Sequence, residues 1–177
     1  MACTQTLSGL TRDCLGSIGG VLEVLIANVD DVASITISSN KVTAITMAAS
    51  AKFHRYALRR GNGSMTSEAT VDATSGNQFY TTSVLMQFSR METTKRVEIA
   101  ALAQADTIAI VHDANGLYWL VGDTDHPLAL AGGTVAQTGQ ASADRNGYDI
   151  TLQNESPDLP IEILVGTGGV NIGSITA

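Results

Sequence analysis

The chain has 177 residues and a formal net charge of -7, with only 15% of its residues charged. That length makes about one domain, able to bury a core without metal or disulfide staples. Plentiful valine, isoleucine and leucine exclude intrinsic disorder, the acidic balance argues against a nucleic-acid clamp, and no stretch approaches the roughly 18 apolar residues of a membrane span. Sparse charge and abundant small residues point to a surface that is flat or covered by neighbours.

Met1 to Gly20 reads as an irregular arm, punctuated by Gly9, Gly16, Gly19 and Gly20 and lacking apolar periodicity. Such an arm is either disordered until bound or laid across a partner. It holds both cysteines, Cys3 and Cys14, at a spacing that matches no CxxC pair. With no secretory leader ahead of them, idle thiols in a reducing compartment are expected. Val21 to Asn28, "VLEVLIAN", predicts a largely apolar and therefore central strand. Val32 to Ile37 and Val42 to Met47 flank the turn "SSNK". Phe53 to Arg60 predicts another strand, with Phe53, Arg55, Ala57 and Arg59 on one face and His54, Tyr56 and Leu58 on the other. The basic cluster Lys52, His54, Arg55, Arg59 and Arg60 suits a neighbour's carboxylates better than it suits nucleic acid.

After the turn Gly61-Asn62-Gly63, Met65 to Asp72 and Phe79 to Phe88 predict a long hairpin. The longer arm, Phe79 to Phe88, spans roughly 33 Å, long for a domain of this size. One face carries Thr66, Glu68, Thr70 and Asp72 on the first arm and Thr81, Ser83 and Gln87 on the second, with Leu85 as its exception. The other carries Met65, Ala69, Val71, Val84, Met86 and Phe88 and is expected to pack inward. A wet polar face on an overlong hairpin suits a channel wall or a sheet extension, and an ordinary solvated face accounts for it equally.

A helix is predicted over about 91–104, with Ser89 as N-cap and Glu92 in the capping-box position. Its mild stripe is Val97, Ala100, Ala101 and Gln104, with Ile99 and Leu102 beside it. Thr107 to Val111, the Asn115-Gly116 turn and Leu117 to Gly122 predict a second hairpin, with Trp119 on the core. Leu128 to Thr134 reads as a short connection or strand, 139–145 as mobile, and Tyr148 to Gln153 as a strand. Pro157 and Pro160 confine the last strand to Ile161 to Val165. The tail "GTGGVNIGSITA" is glycine-rich and expected to be flexible or interface-bound. The expected organisation is an arm over 1–20, a mainly β sandwich or barrel over 21–165 with one flanking helix, and a flexible tail over 166–177.

Catalytic patterns are missing. His54, His112 and His126 lie in different elements, and no HxH or HExxH occurs. His112 and Asp113, brought beside Asp123, Asp125 and His126, would make a conceivable metal site, although turns gather Asp and His anyway. The glycines of "GTGGVNIG" are followed by no helix long enough for a dinucleotide fingerprint. There is no nucleophile elbow, no EF-hand continuation after Asp30 and Asp31, and no paired carboxylates for glycoside chemistry. The expectation is a non-enzyme with no cofactor.

Cys3 and "SGLTRDCLGSIGGV", the long segment "FHRYALRRGNGSMTSEATVDATSGNQFYTTSVLMQFSRMETTKRVEIAALAQAD", "VHDANGLYWLVG" and "GGTVAQTGQASADRNGYDITLQNESPDLP" together resemble the tail-tube-like virion proteins of Bacteroidetes phages. The likeness runs over nearly the whole chain, and its landmarks are turns and strands. It implies a tail-tube-like β-sandwich or barrel whose copies form hexameric rings, stacked into a tube that conducts DNA without binding it specifically. The location it implies is the virion tail, assembled in the bacterial host cytoplasm with other virion proteins. It implies that the long hairpin lines the lumen, so Thr66, Glu68, Thr70, Asp72, Thr81, Ser83 and Gln87 face the DNA, while arm and tail cross ring boundaries. The low charge departs from relatives and leaves ring contacts to β-augmentation and apolar surface. The alternatives are a tail terminator or head-completion protein, or a β-sandwich binding or display domain on a particle surface. Aromatics, which would favour a binder, make up only 5% of the chain. The scattered histidines predict that a chelator leaves melting temperature and particle form unchanged; a clear loss of stability in a thermal melt with chelator would restore a metal site.

Overall fold

The computed structural model describes residues 9–177 except 11, 13, 73, 75 and 134. Cys3 and the first eight residues of the arm lie outside the described residues. Strand β1 is Val21–Asn28, β2 Val32–Ser38, β3 Lys41–Met47 and β4 His54–Ala57. The long hairpin is β5, Gly63–Asp72, with β6, Asn77–Ser89. Helix α1 is Thr93–Leu102, followed by β7, Thr107–Asp113, and β8, Tyr118–Val121. Two short strands, β9 (Ala129–Leu130) and β10 (Ala136–Gln137), lead into β11, Gly147–Ser156. Strand β12, Ile161–Glu162, and the single-turn helix α2, Ile172–Ile175, complete the chain.

These strands make two five-stranded sheets and a separate two-stranded hairpin. The first sheet has the order β12-β8-β7-β1-β4. The second has the order β10-β11-β6-β5, with β9 also on β11. All named pairings are antiparallel, and neither sheet closes into a barrel. The arrangement is a sandwich with a third layer. One face of the β1–β7 pair, through Val24, Ile26, Ala109 and Val111, packs with Val84, Met86, Ile150 and Leu152 of the second sheet and with Ile99 and Leu102 of α1. The opposite face, through Leu25, Ala27, Ile108 and Ile110, packs with Val42 and Ile45 of β3, with Phe53, and with the C-terminal segment. A strand buried on both faces has no polar side to show. That is why "VLIA" and "IAIV" run without alternation, as for central strands elsewhere.

The passage from β6 to α1 needs neither glycine nor proline. Arg90 takes a left-handed backbone, φ 65°, which ends the strand. The turned chain is held by Asn146: its main-chain oxygen accepts from Arg90 N at 2.8 Å, and its Oδ1 accepts from Met91 N at 3.2 Å. The helix therefore starts at Thr93 with Glu92 at its N-cap, and no side chain caps it. Ser89, the expected cap, is the last residue of β6; its carbonyl instead accepts from Lys95 Nζ at 2.8 Å. The buried stripe also differs from expectation. Ile99 and Leu102 go inward, while Val97 is exposed.

Asp113 fixes the β7–β8 turn by accepting from the amides of Asn115 and Leu117 and from Trp119 Nε1. Partial burial pushes this carboxyl up, but those donors outweigh it and hold it below its usual range. The stretch 139–145, expected to be mobile, is a turn in which Asp144 Oδ2 accepts from the amides of Gln140 and Ala141. Gly147 opens β11 because a Cβ there would lie 2.0 Å from Phe88 O.

The expected flexible tail is a correction. Val170, Ile172 and Ile175 are buried in the second core. Phe53 N donates to Ile175 O, and Ala177 N donates to Phe53 O. Glycines supply the bends, while the apolar residues between them supply the anchor. Ending the chain after Gly169 removes those three buried side chains, each contributing roughly 1.5–3 kcal/mol. The expected outcome is a melting temperature lower by at least about 10 °C; an unchanged melt would return the segment to a loose tail.

Candidate functional site

The strongest candidate is one face of the second sheet. Cross-strand register decides which side chains share it, since directly opposed residues point the same way. Along the hairpin, Thr66 is opposite Ser83, Glu68 opposite Thr81, Thr70 opposite Phe79, and Asp72 opposite Asn77. The residues expected to share a polar face, Thr66, Glu68, Thr70, Asp72, Thr81, Ser83 and Gln87, therefore do share one. The first four are exposed, and the last three are half-buried.

The face is wider than the hairpin. Strand β11 pairs with β6 along its whole length, so Asp149 lies opposite Gln87, Gln153 opposite Ser83, and Glu155 opposite Thr81. One row across three strands reads Glu68, Thr81, Glu155. Its two carboxylates stand about 10 Å apart, two strand spacings. These β11 residues were missed from sequence. Their signal was the alternation of "GYDITLQNES", polar at Asp149, Thr151, Gln153 and Glu155 and buried at Tyr148, Ile150, Leu152 and Asn154. What the sequence lacked was the strand to which that alternation belongs.

One cation answers this acidic face. The Arg145 guanidinium lies 2.6 Å from Asp149 Oδ1 and donates to Gln87 Oε1 at 2.9 Å and to Tyr148 O at 3.3 Å. Asp149 also accepts from Gln137 Nε2 at 2.9 Å, which ties β10 to β11. Asp72 has a structural duty as well: its Oδ1 accepts from Thr74 N at 2.8 Å and closes the hairpin tip. Glu68 and Glu155 form no ion pair among the described residues.

The opposite face of the hairpin divides along its length. Val84 and Met86 are fully buried, and Met65 and Phe88 pack against the first core. Ala69 is exposed and Val71 is 68% exposed, so the inward packing expected of them is not realised. The distal hairpin stands clear of the core. Its outer strand β5 is a sheet edge, with main-chain groups available to another strand.

The other sequence candidates disperse. Arg55 pairs with Glu23 at 3.3 Å, and Lys52 donates weakly to Thr176 O, so part of the basic cluster is answered within the chain. His112 pairs with Glu23 and stacks on Tyr118 at 4.1 Å. His126 lies beside Asp123 at the far end of the β7–β8 hairpin. The two groups that would have made a metal site are not brought together. Among the described residues no cluster of three or more His, Cys, Asp or Glu could hold a metal ion. Among the described residues no helix is long and apolar enough to cross a membrane.

The Arg145–Asp149 pair is half-buried, and a double-mutant cycle with R145M and D149N should read a coupling of about 1 kcal/mol in denaturant melts. Additive losses would show that the pair does not hold the sheet. Comparison of the chain with protein-family models, curated protein sequences and solved structures finds no match.

Proposed function

We propose that this chain is a structural subunit of a phage tail tube, assembling as stacked hexameric rings whose lumen conducts DNA, with no catalytic role. The observation that carries the reading is the mostly polar face over β5, β6 and β11, interrupted at Leu85 and Phe79. It holds hydroxyls, amides and four carboxylates, Glu68, Asp72, Asp149 and Glu155, against the one guanidinium of Arg145. A wall for an anionic polymer must be wet and must not attract it. Screening limits repulsion from the carboxylates to about 8 to 10 Å, so the polymer is held off the wall without being stopped.

The edges supply closure. A sheet with a long free edge strand is soluble only if that edge is paired, covered or charged. Joining β5 of one copy to the β10 side of the next would extend the sheet around a ring. Four strands abreast make a wall about 19 Å wide, so six copies would close a cylinder about 37 Å across at the backbone. That leaves room for a double helix after side chains are added. The resemblance carried by the hairpin and strand motifs points to the same assembly, and to a location in the virion tail.

The test combines imaging with charge reversal. Electron microscopy of the purified protein should show rings with a central hole, singly or stacked. Glu68 and Glu155, unlike Asp72, close no turn, so E68K with E155K should leave assembly intact. The reversed rings should retain DNA and release it as salt rises towards about 0.5 M. Loss of assembly would place this face in a subunit contact. Unchanged DNA retention would place it on the outer surface, as in a display domain.

A further inference from the structure

A groove of about 470 Å³ lies between β4 and α1. Strand β4 forms one bank, Lys95 and Glu98 of α1 the other, and Phe88, Ile99 and Ile150 give it an apolar lining. Tyr56 Oη donates to Glu98 Oε1 at 2.5 Å, which ties the strand to the helix. A smaller recess of about 140 Å³ shares His54, Tyr56 and Glu98 and carries the groove on towards Ala105. The size is that of sites that hold a ligand of several residues.

Strand β4 is an edge of the first sheet. In an antiparallel pair, residues that bond to the neighbour alternate with residues whose main-chain groups point away from it. Leu58 N donates to Leu22 O, so Leu58, Tyr56 and His54 bond to β1, and the N–H and C=O of Arg55 and Ala57 point outward. The Arg55 side chain lies on the other face, with Leu25 and Glu23, so it is the main chain that borders the groove. Phe53, in the same phase, shows what such a position accepts. Its N–H donates to Ile175 O and its C=O accepts from Ala177 N, a parallel strand contact. Arg55 and Ala57 continue that edge, and among the described residues no main-chain group pairs with their outward side.

The flanks of the groove reverse the sign of the chain. Of its ten Lys and Arg residues, Lys52, Arg55, Arg59, Arg60, Lys95 and Arg96 lie within 52–60 or on α1, where the only carboxylate is Glu98. Arg55 is answered by Glu23, and Lys95 by Glu92 and the carbonyls of Ser89 and Arg90. Arg59, Arg60 and Arg96 are exposed and form no ion pair among the described residues. We infer that the groove receives an extended acidic peptide segment of a partner protein, added as a strand to β4. Main-chain bonds to Arg55 and Ala57 hold it, over the roughly 13 Å that four residues span. The apolar lining takes a side chain from its centre, and the free guanidinium groups select carboxylates at its ends. The β4 edge takes no part in ring closure through β5 and β10, and the inference does not rest on the tube reading.

The test titrates the full chain into the fluorescein-labelled peptide DELVLDE and follows its anisotropy. Saturable binding is expected. The peptide DEPPPDE keeps the charge but cannot pair as a strand, and should bind at least about tenfold more weakly. R59E with R60E, both at the surface, should weaken DELVLDE about tenfold and strengthen KKLVLKK, whereas R12E in the arm should leave both within about twofold. Hydrogen exchange locates the contact: saturating DELVLDE should slow the Arg55 and Ala57 amides at least about tenfold. No saturable binding, equal binding of DEPPPDE, or unchanged exchange at those two amides overturns the inference. Binding of an oligothymidylate in place of the peptide also overturns it, and would make the basic flanks a nucleic-acid surface.

Discussion

The structure depends on one pair of strands buried on both faces. β1 and β7 run antiparallel through the middle of the first sheet, and their alternate side chains feed two separate cores. Leucine, isoleucine and valine must therefore appear at consecutive positions, and each strand loses any solvent face. This constraint places every other layer. The second sheet and α1 are needed to cover one side, and the β2–β3 hairpin with the C-terminal segment is needed to cover the other. A two-layer sandwich would have left Leu25, Ile108 and Ile110 in water.

Once the second sheet is committed to covering that core, its two faces part company. Val84, Met86, Ile150 and Leu152 meet the central sheet, so their neighbours in sequence must point away from it. The polar face is thus a by-product of burial at the base of the hairpin. Toward the tip the same explanation fails, because Ala69 and Val71 are exposed on the reverse side. A hairpin that extends past its own core gains nothing in the single subunit. Its length and free edge fit the proposed assembly, in which a neighbouring copy would pair the edge.

The two chain ends differ in a way that composition hides. Both are rich in glycine. In the C-terminal segment Val170, Ile172 and Ile175 find partners in the second core, and Thr176 adds a bond from its hydroxyl to Ile172 O. In the arm Leu10, Leu15 and Ile18 remain exposed. Glycine content sets how readily a segment bends. Whether it docks depends on apolar side chains meeting a surface that is vacant within the same copy.

By itself the sequence determined the mainly β class, the bounds of β1, the turn between β2 and β3, both long hairpins and the shared polar face of Thr66 to Gln87. Each of these is written in local alternation, in turn residues, or in contacts between strands adjacent along the chain. The helix was legible, but its start was not, because the break at Arg90 is made by Asn146, far along the chain. Only the tertiary structure decided the pairing of β11 with β6, and with it the membership of Asp149, Gln153 and Glu155 in the candidate face. It alone decided the docking of the tail, the separation of His112 from His126, and the groove between β4 and α1. The physical reason is common to all of them. Periodicity tells which way a side chain points relative to its neighbours in the strand, and a distant partner decides what lies in that direction.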